Sequence, residues 1–283
     1  MDSAPEPLVD LHTHSRYSDG VLTPADLVER ARQRNVGTLA LTDHDTTEGL
    51  AEARAACAGA GIRFVAGVEL SASWRGQTIH VVGLEIDDSH AGFRTHVRAV
   101  LARRRARLAE IGERLERRGR LPGRELAAAA ADSPAPTRLH LARELVARGF
   151  AKDTQDAFDR WLNRDTAGHV PTDWPALAQV MAALREGGAI AVLAHPHRYR
   201  FSAGGLRELV AAFVAEGGAA LEASMAGMSP NDADRIASLC RRFNLQASIG
   251  SDFHDPAVPW NPLGRWLKLA AGLEPVTTRL RSV

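Results

Sequence analysis

The sequence predicts an α/β fold, a closed or nearly closed barrel of mainly parallel strands with an all-helical insertion. Three observations carry that expectation. Short apolar runs alternate with amphipathic stretches from Leu8 to Leu70, the same rhythm returns after Gly168, and only helical patterns lie between. Six or seven strands of parallel type follow, and a doubly wound open sheet is the alternative arrangement of the same alternation.

Taken in order, LVDLH reads as a strand, Pro24 to Asn35 as a helix, TLALT as a strand, Glu48 to Ala60 as a helix and RFVAGVEL as a strand. Thr23 before Pro24 has the character of an N-cap followed by proline at the first helical position. Glu69 to Trp74 and Thr78 to Ile86 form a strand pair turned at Arg75-Gly76-Gln77. The insertion carries helices at Phe93 to Arg120, Glu125 to Ala131 and Leu139 to Phe150. Helix Trp174 to Glu186, strand AIAVLAH, helix Leu206 to Glu216, strand AALEAS, helix Asp232 to Phe243 and strand LQASIGSD complete the chain.

The 283 residues, 45% hydrophobic and 24% charged, suffice for one large core plus an insertion. A formal net charge of +1 means that any polyanion must be recognised by local charge rather than by the whole surface. The densest local charge is in the first inserted helix, where ten arginines between Arg94 and Arg120 face Glu110, Glu113 and Glu116. Pairs such as Glu110 with Arg114 and Glu113 with Arg117 favour a solvated face over a polyanion site. Met1 to Pro7 is acidic and lacks the regions of a secretion signal, and no run is long enough for a membrane span. A cytoplasmic protein without membrane attachment is expected, and no obligate protein partner is evident. Cys57 and Cys240 lack metal-site spacing and are expected as reduced thiols.

The histidines and acids are the informative residues. His12, His14 and Asp19 follow the first strand, His44 the second, and Glu69 ends the third. His80 lies inside TIHVVGLEI, His195 ends AIAVLAH, and Asp252 and His254 follow the last strand. Barrel sites assemble from the ends of different strands, so these nine positions converge on one face. Imidazole mixed with carboxylate suits borderline divalent ions, and a carboxylate can bridge two of them. Such ions bind phosphoryl oxygens and activate water, which makes a phosphate ester the natural substrate class. His90, His96 and His169 are expected at the surface. Asp43 and Asp45 flank His44 as acceptors that orient imidazoles, with helix capping the alternative for Asp45.

DLHTHSRYSDG, LALTDHDT, VAGVELS, HVVGLEI, LAHPHRY and IGSDFH resemble, in order, the motifs of the polymerase and histidinol phosphatase (PHP) superfamily. The resemblance implies a distorted seven-stranded (β/α) barrel, in segments 1–91 and 169–283, with residues 92–168 as a helical cap. It also implies two or three divalent ions, manganese first, with iron(II) or zinc as alternatives. By motif position, His12, His14, Glu69 and Asp252 serve one ion, Glu69, His80 and His195 a second, and Asp19, His44 and His254 a third.

Arg138 in SPAPTRLHLA, and Arg198 and Arg200 in HPHRYRFS, offer guanidinium forks suited to phosphate oxygens. These segments resemble the subgroup of nucleoside 3′,5′-bisphosphate phosphatases and the related 5′-to-3′ exoribonuclease RNase AM. That similarity implies hydrolysis of the 3′-phosphate of adenosine 3′,5′-bisphosphate to AMP, together with attack on short RNA 5′ ends. His197 is a candidate proton donor to the leaving oxygen. Glu222 and Ser224, at a strand end, are candidate substrate contacts or structural polar groups. Two alternatives stand beside this reading: a histidinol phosphate phosphatase, and a nucleic-acid-binding module for which an intact ligand set would be superfluous.

Overall fold

The computed structural model describes residues 6–281 apart from 260 and 267. Seven strands form one sheet in chain order: β1 (Leu8–Asp10), β2 (Val36–Leu41), β3 (Arg63–Trp74), β4 (Gln77–Leu84), β5 (Ile190–Leu193), β6 (Ala220–Met225) and β7 (Gln246–Gly250). The first three pair in parallel, as do the last three. β4 is antiparallel to β3, as the strand pair expected to turn at Arg75-Gly76-Gln77 requires, and antiparallel to β5 as well, so the sheet is parallel only in part. The cause is local. Arg75 and Gly76 both have positive φ, 47° and 73°, as a tight hairpin turn requires, so the chain doubles back before it can cross over. Beyond the two outer strands, Leu11 N–H donates to the Ile249 carbonyl at 3.0 Å and His14 N–H to that of Phe253 at 2.9 Å.

The strands alternate faces with a period of two. Leu39, Leu41, Val68, Leu70, Leu193 and Leu221 pack against the helices, whereas Ala40, Val65, Val82, Val192 and Ala220 form a separate cluster closed by Leu11, Val276 and Leu280. Glu69 and Ser71 share the second face through the parity of β3. Helices α1 (Pro24–Gln33) and α2 (Leu50–Ala60) connect the first strands. Thr23 caps α1 by accepting from Asp26 N–H, as expected.

Between β4 and β5 lie α3 (Ala91–Arg114), α4 (Gly123–Ala130), α5 (Arg138–Ala147) and the short α6 (Thr154–Ala157), which had no clear sequence signal. Leu108, Ile111, Leu115, Leu126, Leu141, Leu145 and Leu162 give this region its own hydrophobic cluster. Helices α7 (Leu177–Glu186), α8 (Ala203–Ala215) and α9 (Pro230–Phe243) accompany the later strands. Among the described residues no helix is long and apolar enough to cross a membrane.

Candidate metal centre

Parallel strands deliver their C-terminal ends to one rim, and His12, His14, His44, His195, Asp252 and His254 follow such ends; Glu69, expected to end its strand, instead lies inside β3, just past the last residue paired with β2 and within the hairpin with β4. His80 reaches the same rim only because β4 runs the other way, pairing opposite Ser71 of β3. Two of these residues sit in left-handed backbone, His195 at φ 30° and Asp252 at φ 53°. Such strain persists where the surroundings fix it, and here it turns both side chains inward.

The nine residues meet in three overlapping groups around Glu69. His12 Nε2 and His14 Nε2 face each other at 3.0 Å, each 3.3 Å from Glu69 Oε2, and Asp252 Oδ1 lies 3.2 Å from His14 Nε2. Glu69 Oε1 is 3.0 Å from His80 Nδ1 and 2.9 Å from His195 Nε2, which are 3.4 Å apart. Asp19 Oδ1 is 3.2 Å from His254 Nε2 and 3.8 Å from His44 Nε2, and His14 belongs to this group as well. His44 Nδ1 also approaches Glu69 Oε2 at 2.9 Å.

This donor set fits divalent ions. Despite these short approaches, Asp19 Oδ1, Glu69 Oε2, His44 Nδ1 and His195 Nδ1 are buried and make no well-aligned hydrogen bond, a cost that a native site must offset. Two imidazole nitrogens 3.0 Å apart beside a shared carboxylate oxygen match coordination better than a hydrogen-bond network. Burial opposes ionisation of Asp19, Glu69 and Asp252, yet the surrounding histidines hold all three well below the usual carboxylate range. Burial, then His254, lowers His14 to about 3. For His254 burial is outweighed by Asp19 and Asp252, which raise it to about 9.

Outer contacts hold the ligands in place. Glu222 Oε1 lies 2.6 Å from His12 Nδ1, and its Oε2 accepts from His195 N–H at 2.5 Å. With both oxygens engaged, Glu222 holds two candidate ligands, which matches the structural polar role expected as its alternative to substrate contact. Ser224 is buried in β6. Asp43 accepts from Ser15 Oγ at 2.7 Å and Ser18 Oγ at 2.6 Å, tying down the loop that carries Asp19. It therefore acts through serines rather than on an imidazole directly. Asp45 caps no helix, since the N-cap of α2 is Gly49.

Asp45 instead pairs with Arg104 Nη2 at 2.5 Å, and Arg104 Nη2 also donates to Ser71 Oγ at 2.9 Å. Beside the cluster a cavity of about 230 Å³ is lined by Asp19, His44 and His80 and, across from them, Arg104, Arg107 and Arg138. Asp19 is its only acidic lining residue among those described. Arg107 Nε is buried without a partner, and burial, then the charges of Arg138 and Arg104, lowers its pKa to about 10. Arg138 reaches the Leu162 carbonyl at 3.4 Å and lies 5.4 Å over the Phe158 ring.

Arg198 is ion-paired with Asp252, while Arg200 is exposed and makes no ion pair among the described residues. Of the two, Arg198 is the one in contact with a cluster carboxylate. His197 lies outside the three groups, and burial, then Arg198, lowers its pKa to about 4, so its neutral form dominates at pH 7. Its assignment as proton donor gains no support.

A family model described as PHP domain matches residues 10–121. The 5'-3' exoribonuclease Rnm of Salmonella typhimurium is 44% identical over 272 residues, 95% of this chain and 92% of that protein. The chain belongs to the PHP domain family. The 3',5'-nucleoside bisphosphate phosphatase of Chromobacterium violaceum is 37% identical over 275 residues, covering 97% of this chain and 96% of that one. Among solved structures, an amidohydrolase from Chromobacterium violaceum with bound sulfate and no metal has a TM-score of 0.89 at 37% identity, over 96% of this chain and 95% of that chain. A protein from Bifidobacterium adolescentis assigned as a metal-dependent phosphoesterase has a TM-score of 0.82 at 29% identity, over 98% of this chain and 96% of that chain.

Sequence reasoning missed two cavity residues of this PHP chain. Arg104 and Arg107 were read with the solvated face of the arginine-rich helix. Yet Val97, Leu101, Arg104, Leu108 and Ile111 recur at three- and four-residue spacing, so Arg104 stands in the buried stripe of α3. An arginine inside an apolar stripe is a signal of pairing, because an unpaired charge there would be too costly. Of the histidines expected at the surface, His90 is exposed, while His96 and His169 are half-buried outside the cluster.

Proposed function

We propose that the protein is a metal-dependent phosphomonoesterase that removes the 3′-phosphate of nucleoside 3′,5′-bisphosphates, adenosine 3′,5′-bisphosphate among them. On short RNA with a 5′-phosphate it acts as a 5′-to-3′ exoribonuclease. The names of its relatives in Chromobacterium violaceum and Salmonella typhimurium support both halves of the reading. The observation that carries it is the pair of adjoining anion sites: a cluster of eight metal-ligand candidates, joined by His195 through Glu69 at 2.9 Å, and a three-arginine cavity that shares Asp19, His44 and His80 with it. Arg104 is paired with Asp45, whereas Arg107 and Arg138 face the cavity with no ion pair among the described residues, and a bound anion would compensate them.

In this reading residues 1–91 and 169–283 close into a distorted seven-stranded (β/α) barrel, supported by the hydrogen bonds between the chain beyond β1 and that of β7. Residues 92–168 form a helical cap over its mouth, supported by the bonds of Arg143 Nη2 to the Asp19 carbonyl at 2.9 Å and Ser133 Oγ to the Ser18 carbonyl at 3.3 Å. His12, His14, Glu69 and Asp252, then Glu69, His80 and His195, then Asp19, His44 and His254 hold two or three ions, with manganese the first candidate. When bound, the ions polarise the phosphoryl oxygens and make water nucleophilic at neutral pH.

Arg138 and Arg107 grip the 5′-phosphate, with Arg104 fixed between Asp45 and the cavity, so that the 3′-phosphate is presented to the cluster. Water adds to phosphorus, the bond from phosphorus to the 3′-oxygen breaks, and a proton goes to that oxygen. For a bisphosphate the products are a 5′-nucleotide and inorganic phosphate. For RNA the same bond breaks, and the phosphate stays on the next nucleotide as a new 5′ end.

The test is product release from adenosine 3′,5′-bisphosphate, 3′-AMP, histidinol phosphate and a short 5′-phosphorylated RNA, each with manganese. The bisphosphate and the RNA should be the preferred substrates. Preference for histidinol phosphate, or no hydrolysis of any of the four, would overturn the reading.

A further inference from the structure

We infer that a cleft on the β6–β7 side of the cluster binds the nucleotide that follows the scissile phosphate of a short RNA. The inference rests on the exoribonuclease reading above and adds a second recognition site to it. The arginine cavity lies on the side of β1 to β4, lined by Asp19, His44, Ser71 and His80. A first nucleotide with its 5′-phosphate there and its 3′-phosphate at the cluster must send the rest of the RNA away from that cavity.

After the ends of β6 and β7 a cleft of about 350 Å³ is lined by Met225, Met228, Pro259, Pro262, Arg265 and Trp266. Its lining is tied to the backbone beside Asp252. Met225 pairs with Gly250, two residues before Asp252, and Asn261 Nδ2, between the two lining prolines, donates to the Asp252 carbonyl at 3.4 Å. A strand spacing of about 4.8 Å and an extended rise of about 3.4 Å per residue put Met225 within roughly 12 Å of Asp252.

The lining suits a nucleotide. Met225 and Met228 are buried and supply a polarisable apolar floor, and the half-buried Trp266 supplies an aromatic face. Arg265 is exposed and makes no ion pair among the described residues. Arg198, ion-paired with Asp252, is a second guanidinium at this edge of the cluster. Stacking on an aromatic ring tolerates any base, and a guanidinium holds the backbone. An enzyme that removes nucleotides one after another needs that tolerance. A nucleoside 3′,5′-bisphosphate has nothing beyond its 3′-phosphate and leaves the cleft unused.

The experiment compares kcat/KM for adenosine 3′,5′-bisphosphate and for a short 5′-phosphorylated oligoribonucleotide in wild type, Trp266→Ala and Arg265→Glu, at equal metal content. Arg265 is exposed, so its variant guards against a folding defect at Trp266. RNA turnover should fall about ten- to a hundredfold in Trp266→Ala, and measurably in Arg265→Glu, with the bisphosphate unchanged. Equal losses on both substrates, or no loss on RNA in either variant, would overturn the cleft while leaving the catalytic reading intact. A wild type that hydrolyses the bisphosphate but never RNA would remove the exoribonuclease reading, and the cleft with it.

Discussion

Replacing Arg138 with alanine should weaken the preference for a doubly phosphorylated substrate without unfolding the protein. Its guanidinium makes one long bond, 3.4 Å to the Leu162 carbonyl, and a stack over Phe158, so folding depends little on it. Burial disfavours its charged form and lowers its pKa, a cost that a bound phosphate would offset. One charge-assisted hydrogen bond to phosphate contributes about 1.5–3 kcal/mol, or about ten- to a hundredfold in kcat/KM. Arg104 and Arg107 remain in the cavity, which places the expected loss near the lower end for adenosine 3′,5′-bisphosphate. For 3′-AMP, which has no second phosphate, the loss should stay below about threefold. The assay is kcat/KM for both substrates in both proteins after matching metal content and melting temperature. An equal loss on the two substrates would place Arg138 at the reacting phosphate or at a structural contact and refute the two-site argument.

Three further outcomes follow from the same contacts. Arg104→Ala should cost about 3–5 kcal/mol of stability by leaving Asp45 buried without its partner; adding Asp45→Asn should recover part of it in a denaturant titration, and additive losses would contradict the pairing. Glu222→Gln should weaken metal affinity about ten- to a hundredfold, because it loosens His12 and His195 together; unchanged affinity in a competition titration would make Glu222 merely structural. Burial pushes the thiols of Cys57 and Cys240 up to about 12, so at pH 8 only about one in ten thousand is ionised. Neither should react with a thiol reagent until the protein unfolds, and rapid labelling of the native protein would show that they are accessible.

The constellation was legible because candidate metal ligands near strand ends are marked by residue type. His12 and His195 are polar interruptions where apolar runs stop, Glu69 is an acid inside one, and strand direction brings them to one rim. His80 carried a weaker mark, since its place at that rim depends on β4 reversing through Arg75 and Gly76. What could not be read were pairings between distant segments. That Glu222 would face His12, 210 residues away, follows from closure of the sheet and from nothing near either residue. Arg104 was hidden by composition: among so many arginines, only its place in the apolar stripe of α3 separates it from solvated neighbours. Arg198 and Arg200 are the same residue type two positions apart after β5, and only the three-dimensional position of Asp252 distinguishes them.

The most direct test of the central claim is to measure adenosine 3′,5′-bisphosphate hydrolysis against bound transition metal, determined by elemental analysis, through chelation and reconstitution with manganese. The account predicts more than one divalent ion per chain, activity that falls to background as the ions leave, and recovery as they return. Full activity in excess chelator, with no transition metal bound, would contradict it.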